Sequence, residues 1–443
     1  MPAPVAPAAP AAPAAPLDCV IVGGGIAGLY AAYRLKRADP RVRLVVLESA
    51  SEVGGRILTT EFAGLRELPC GAGIGRAEKD RVLAELLAEF KLPSRAFRSR
   101  PAYNEPAGAP CAPAPAAELR ADLAALRAHF RPDRDSRRTF RDFALEAFGG
   151  AAGRERYAQF TARLGYTDYE AEDAYETMRH YGLADNYAPL SGFSVPWRAL
   201  AASFAAAIGA ENIRTGARVT EIAVASAPAP CSVSYVTRRG REERLAARTV
   251  IAALPADGLR ALFPAASVYE YVHGQPFLRV YAQFAAGARA AIAARFPTST
   301  IASDLSDEAT ASLQKVFPIN AEKGVYMITY SDNARAKAHA KDARNLANTA
   351  FGRAYWEGLL GVAPGAIRAI HACYWSAGTH YYSPLPTEYP SRAHFLRDAR
   401  RPLGRRAPVF AAGEAISRDQ GWTHGAFDSV EAILPDVQKM IGE

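Results

Sequence analysis

The chain has 443 residues, 49% of them hydrophobic and 22% charged, a globular balance able to bury a large core across two or three domains. No apolar run reaches the roughly 18 residues needed to span a bilayer, so no membrane anchor is expected. The net charge of +8 is spread over scattered basic residues with only a modest cluster at Arg131, Arg134, Arg137, Arg138 and Arg141. No nucleic-acid motif accompanies them, so they read as solvated surface and no specific nucleic-acid partner is expected.

Residues 1–16 are almost entirely Ala and Pro, without the basic start and unbroken apolar core of a signal peptide; they read as a disordered, partly polyproline-II tail. From Leu17 the pattern becomes specific. Asp18–Val22 is a strand, Gly23, Gly25 and Gly28 fill G-x-G-x-x-G spacing, a helix runs over about 26–38, and a second strand over 42–47 ends at Glu48. Gly23 permits a tight turn, Gly25 lets backbone approach a pyrophosphate, and Gly28 lets the helix pack on the strand. The helix N-terminus then faces phosphate, and an acid about twenty residues on meets a ribose hydroxyl. This predicts an adenine-dinucleotide site. Gly54-Gly55-Arg56 follows as a second close-approach turn whose arginine is suited to phosphate. Glycines at 71, 73 and 75, around Ile74, suit either a chain passing against a flat ring or a flexible loop.

Helical spacing predicts a helix over 78–90, a Pro/Ala-rich loop over 101–117, and an amphipathic helical stretch over 118–160. Asp168, Glu170, Glu172, Asp173 and Glu176 then concentrate negative charge, read either as a solvated helix start or as a lure for a cationic substrate. Strands are expected near Val219, over 232–237 and 244–254 around the Arg238-Arg239-Gly240 turn, over 277–284 and over 325–330. Residues 374–382, with Trp375, His380 and Gly378, read as an aromatic-dense loop that is either core or pocket wall. At the far end a strand over 409–412, Gly413-Glu414, and the glycine-flanked helix start Trp422-Thr423 form a second ligand-facing crossover. The five cysteines are odd in number and far apart, which argues against a disulfide framework or a metal site and for the cytoplasm or another reducing compartment.

On these residues the chain resembles the flavin-dependent amine oxidase superfamily, which includes monoamine and polyamine oxidases, L-amino-acid oxidases and lysine-specific histone demethylases. The resemblance implies an α/β fold: a discontinuous Rossmann-like FAD-binding domain (17–80, 210–265 and 405–443) and a mixed sheet-plus-helices substrate domain (81–209 and 266–404). It implies that Gly23, Gly25 and Gly28 face the FAD pyrophosphate, that Glu48 meets the ribose, that Val219 meets adenine through its backbone, and that Arg56 and Glu414 hold the centre of the cofactor. Ile26, Ala27, Gly55, Gly73, Ile74, Gly413, Trp422 and the backbone of Thr423 complete the cofactor-binding set. Thr379 stands where monoamine oxidases carry the cysteine that attaches FAD, so non-covalent FAD is expected. Arg279 stands where most members carry a lysine near the flavin, and Trp422, with Trp375 or His380 opposite, is expected to align the substrate. The implied reaction is oxidation of a small-molecule amine with dioxygen, giving imine and hydrogen peroxide. The alternatives are an L-amino-acid oxidase anchored by Arg76, Arg179 or Arg279, a flavin desaturase or isomerase, and an FAD-bound scaffold without turnover.

Overall fold

A computed structural model describes residues 15–99, 101–104, 116–165, 171–181, 190–225 and 230–442. Most of the Ala/Pro tail, most of the 101–117 loop, Asp168 and Glu170 lie outside the described residues.

The Leu17–Val22 strand lies in a seven-stranded sheet, flanked in parallel by Leu44–Glu48 on one side and by the end of Glu242–Ala253 on the other. Val409–Ala412 and Ile213–Thr215 extend the parallel part, while Ala217–Val224 and Cys231–Thr237 continue as an antiparallel ribbon. The sheet is therefore assembled from three separated stretches of chain. Its strands are apolar on both faces because both faces are covered. Cys19, Ile21, Leu44, Val46, Ile251 and Phe410 enter one core, and the intervening Val20, Val22, Val45, Leu47, Val250 and Val409 enter the other. The Ile26–Ala38 helix is buried on more faces than an amphipathic stripe, since it packs beside both the Trp197–Ile208 and Thr423–Glu431 helices.

A second, six-stranded sheet runs in the order Ile367–Tyr382, Val272–Phe284, Val325–Asp332, Lys315–Asn320, Thr300–Ala302, Ala102–Asn104. The Val272–Phe284 strand sends Leu278, Val280, Ala282 and Phe284 into a core closed by Trp356 and Leu360 of the Ala350–Leu360 helix. The alternate residues, Arg279 and Tyr281, face the other side.

Four local expectations are corrected. Residues 374–382 are not a loop but the end of the 16-residue Ile367–Tyr382 strand, antiparallel to Val272–Phe284. Gly378 is what allows this, because a Cβ there would lie 2.4 Å from Phe277 Cβ. The 118–160 stretch is four α-helical pieces, broken before Pro132, between Asp135 and Phe140, and at Gly149 and Gly150, whose φ values of +101° and +70° end a helix. The helix expected over 78–90 begins only at Arg81, because Asp80 is turned back to accept from the Arg76 amide and guanidinium. Two of the five cysteines, Cys70 and Cys373, form a disulfide across 303 residues, which the sequence spacing concealed.

Candidate active site

The three glycines divide their work as chain geometry requires. Gly23 has φ +101°, and a Cβ there would sit 2.4 Å from the Ala253 carbonyl oxygen. A Cβ at Gly28 would sit 1.9 Å from the Gly23 oxygen. A Cβ at Gly25 would meet nothing within 4 Å, because that position opens onto a cavity. Gly28 does not line the cavity, so its part is helix-on-strand contact and not contact with a ligand. At the end of its strand, Glu48 accepts from the Gly24 amide (2.7 Å) and the Ala50 amide (2.7 Å), which fixes the carboxylate at the cavity wall.

The cavity has a volume of about 1240 Å³. Its walls include Gly23, Gly25, Ile26, Ala27, Glu48, Gly55, Arg56, Gly73, Ile74, Val219, Gly413, Glu414, Trp422 and Thr423, together with Arg279, Trp375 and His380. Of the cofactor-binding and catalytic residues expected from the sequence, all but Gly28 therefore meet at one space, although they are drawn from both sheets.

Glu414 organises the middle of that space. Its carboxylate accepts from Arg56 Nη1 (2.7 Å), His380 Nδ1 (2.8 Å), the His380 amide (3.0 Å) and the Gly421 amide. Burial alone would raise its pKa. The charge of Arg56 and the hydrogen bonds from His380 and Gly421 outweigh burial and hold the carboxyl well below the usual glutamate range. His380 Nε2 accepts from the Ala256 amide (3.2 Å), which puts the ring proton on Nδ1. Both ring nitrogens are thus engaged by protein, so His380 positions Glu414 and offers no ring nitrogen to a substrate opposite Trp422.

The far end of the cavity is aromatic and cationic. Trp375 donates from Nε1 to the Cys70 carbonyl (2.8 Å). Trp422 is stacked on the Arg76 guanidinium at 4.0 Å, and Arg76 is bound by Asp80 at 2.9 Å. Arg76 does not line the cavity, so it serves Trp422 and is no carboxylate anchor. Arg179 lines the cavity but pairs with Glu176 at 3.1 Å. Arg279 donates to the Pro69 carbonyl (3.1 Å) and lies 4.6 Å from the Tyr330 ring centroid. Of the glycines at 71, 73 and 75, Gly73 abuts the Arg279 guanidinium, while Gly71 and Gly75 are needed for contact with the Arg56 backbone and the Phe193 ring. The loop therefore serves chain-on-chain packing at two of its three glycines.

Sequence reasoning missed Lys315. It is buried, lines the cavity, and places Nζ 4.6 Å from the same Tyr330 centroid. Burial pushes its pKa down to about 7; Asp332 opposes that shift and Arg279 adds to it. The available signal was a lysine opening an apolar strand in a chain with only eight lysines. Of the acidic run, Glu172, Asp173 and Glu176 reach the cavity wall. Burial pushes Asp173 up to about 7, against the opposing charge of Arg392 3.1 Å away.

Residues 26–430 match the family described as flavin containing amine oxidoreductase. The chain belongs to that family. Membership implies a flavin cofactor and an oxidoreductase. Among solved structures, putrescine oxidase bound to putrescine superposes with a TM-score of 0.70 at 15% identity, covering 96% of this chain and 99% of that one. Cyclohexylamine oxidase from Brevibacterium oxydans IH-35A gives 0.68 at 15% identity, covering 97% and 100%. At such identity these likenesses speak for the fold. Short stretches are closer: 56% identity over 48 residues with polyamine oxidase 1 of Oryza sativa subsp. japonica, and 51% over 49 residues with the chloroplastic protoporphyrinogen oxidase 1 of Arabidopsis thaliana. Each of those stretches spans 9% of the relative's length. No helix among the described residues is long and apolar enough to cross a membrane.

Proposed function

We propose that this flavin amine oxidoreductase holds FAD non-covalently and oxidises a primary, secondary or polyamine to the imine, with hydrogen peroxide as co-product. The observation that carries this reading is the continuity of one cavity from the Gly25 turn and Glu48, past Arg56 and Glu414, to Arg279, Lys315, Trp375 and Trp422. The open space over Gly25 and the amide-fixed Glu48 carboxylate suit a dinucleotide. In this reading the start of the Ile26–Ala38 helix meets the pyrophosphate, Glu48 the ribose, and the Val219 backbone the adenine. Arg56 stays oriented by Glu414, and the N-terminus of the Thr423–Glu431 helix presents its backbone to the flavin edge. When bound, FAD supplies the two-electron oxidation of the C–N bond and passes the electrons to dioxygen. Trp375 and Trp422 form the aromatic walls for the amine, and Glu172 and Glu176 add negative potential along its approach. Thr379 donates to Gln275 (2.6 Å) and carries no thiol for a covalent link.

A second reading, an L-amino-acid oxidase, is favoured by one specific feature: two cations, Arg279 and Lys315, border the same Tyr330 ring at the cavity wall and suit a carboxylate. Peroxide formation is to be measured with polyamines, monoamines and L-amino acids in turn. Turnover of amines lacking a carboxylate supports the main reading; turnover of amino acids alone replaces it with the second. Acid precipitation is expected to release the yellow colour into the supernatant, and colour kept in the pellet would contradict non-covalent binding.

A further inference from the structure

On the Arg279 face of the second sheet lies a group the oxidase reading does not use. Cys70, His371 and Cys373 place their ligand atoms within 4.8 Å of one another. The arrangement follows from strand geometry. His371 and Cys373 are two residues apart on the Ile367–Tyr382 strand and so share a face, opposite Tyr281 and Arg279 in register. The chain at Pro69-Cys70 is laid across that face by three hydrogen bonds. Arg279 Nη1 (3.1 Å) and Tyr281 Oη (2.7 Å) donate to the Pro69 carbonyl, and Trp375 Nε1 (2.8 Å) donates to the Cys70 carbonyl. These three bonds anchor the backbone on both sides of the Pro69–Cys70 peptide beside Cys373 and His371.

We propose that Cys70, His371 and Cys373 form a redox-gated site for a thiolate-preferring cation of the Zn²⁺ class. Two thiolates and one imidazole are a borderline-soft donor set suited to Zn²⁺, and three protein ligands leave the fourth position to water. In the structure the two sulfurs are bonded to each other, so the site is closed. A two-electron reductant of the thiol class opens it: the S–S bond breaks, each sulfur takes a proton, and two molecules of the thiol become a disulfide. Zn²⁺ binding then displaces both cysteine thiol protons. A disulfide oxidant reverses the sequence, taking two electrons from the thiolates, forming the Cys70–Cys373 bond and releasing the ion. The site is half-buried: Cys373 is buried while Cys70 and His371 are partly exposed, Phe62 stands 6.2 Å from the His371 ring, and Leu68, Tyr281 and Met327 pack as a small core nearby.

The test uses the full chain with its flavin, before and after reduction with a water-soluble phosphine that does not compete for zinc. Reduced protein is expected to retain one Zn²⁺ per chain after gel filtration, and oxidised protein none. Co²⁺ in its place is expected to give the d–d bands of a tetrahedral thiolate site, to the red of the flavin absorption. His371→Ala in the reduced state is expected to weaken zinc binding by about 100-fold or more, since loss of even an outer-shell partner costs about 10–100-fold. Because Cys→Ser variants can fail to fold, alkylation of the reduced wild-type chain is followed by mass spectrometry with and without zinc. Protection confined to Cys70 and Cys373, with buried Cys19 and Cys231 unchanged, supports the site. Reduced protein that retains no zinc, or zinc that leaves Cys70 and Cys373 unprotected, would overturn it. Equal zinc binding by the oxidised protein would overturn the gating.

Discussion

The Glu414 carboxylate is buried, yet it is held ionised by Arg56, His380 and the Gly421 amide. Its folded-state pKa lies below the ordinary 4.5, so its contribution to stability is present above that value. The contribution is lost as pH falls below about 4.5, where the unfolded chain takes up the proton first. Glu414→Gln, which leaves Arg56 facing a neutral amide, is expected to cost about 3 kcal/mol or more in urea unfolding at neutral pH and to flatten the acid limb of the stability profile. Unchanged unfolding would show that the cluster is not carried by charge. Lys315 makes the second prediction. With a pKa of about 7, depressed from 10.5, it is cationic below that pH and neutral above it. An ammonium substrate is therefore repelled less as pH rises through 7, and KM is expected to fall. Lys315→Met is expected to lower KM at pH 6 by about 10-fold and to shrink that inflection. Asp173 also titrates near 7, so part of the inflection remains. A variant with the wild-type profile would remove Lys315 from substrate contact. Arg279→Lys tests the cation on the neighbouring strand: a fall in peroxide production supports its part in turnover, and unchanged production counts against it.

At the scale of elements, the Gly23–Gly28 turn separates folding from binding. Gly28→Ala is expected to destabilise the chain by several kcal/mol, since the Cβ would collide with the Gly23 carbonyl. Gly25→Ala is expected to leave unfolding of the apoprotein unchanged and to weaken flavin retention by about 10-fold or more, because its Cβ points into open cavity. Equal losses of stability in the two variants, measured with the flavin removed, would contradict this division. The turn was legible in the sequence because a strand, three glycines and Glu48 fall at spacings that backbone geometry alone dictates. The Trp375–Tyr382 strand was not, because Gly378 and clustered aromatics mimic a loop until Val272–Phe284 lies alongside. The helices after residue 116 were legible as helical, but their breaks depend on backbone torsions at Gly149 and Gly150 that periodicity does not register.

For the whole molecule, the cavity joins residues hundreds of positions apart, and how far the sequence reached depended on whether a residue's role is local. Glu48, Arg56 and Glu414 sit at strand ends and turns, so local pattern found them. Lys315 and the Cys70–Cys373 pair owe their surroundings to the second sheet's strand order, which no local spacing encodes. The disulfide closes a 303-residue separation, and its loss in Cys70→Ser/Cys373→Ser is expected to lower stability by about 2–4 kcal/mol, read as an earlier urea midpoint. A midpoint equal to that of the wild type would mean that the bond adds nothing under those conditions. In the proposed function the cavity brings an amine to a flavin. This is tested most directly by mixing the yellow protein anaerobically with polyamines, monoamines and L-amino acids while following flavin absorbance. Rapid bleaching by an amine without a carboxylate is expected, with recovery of colour when dioxygen is admitted. Colour that persists with every amine and every amino acid would contradict it.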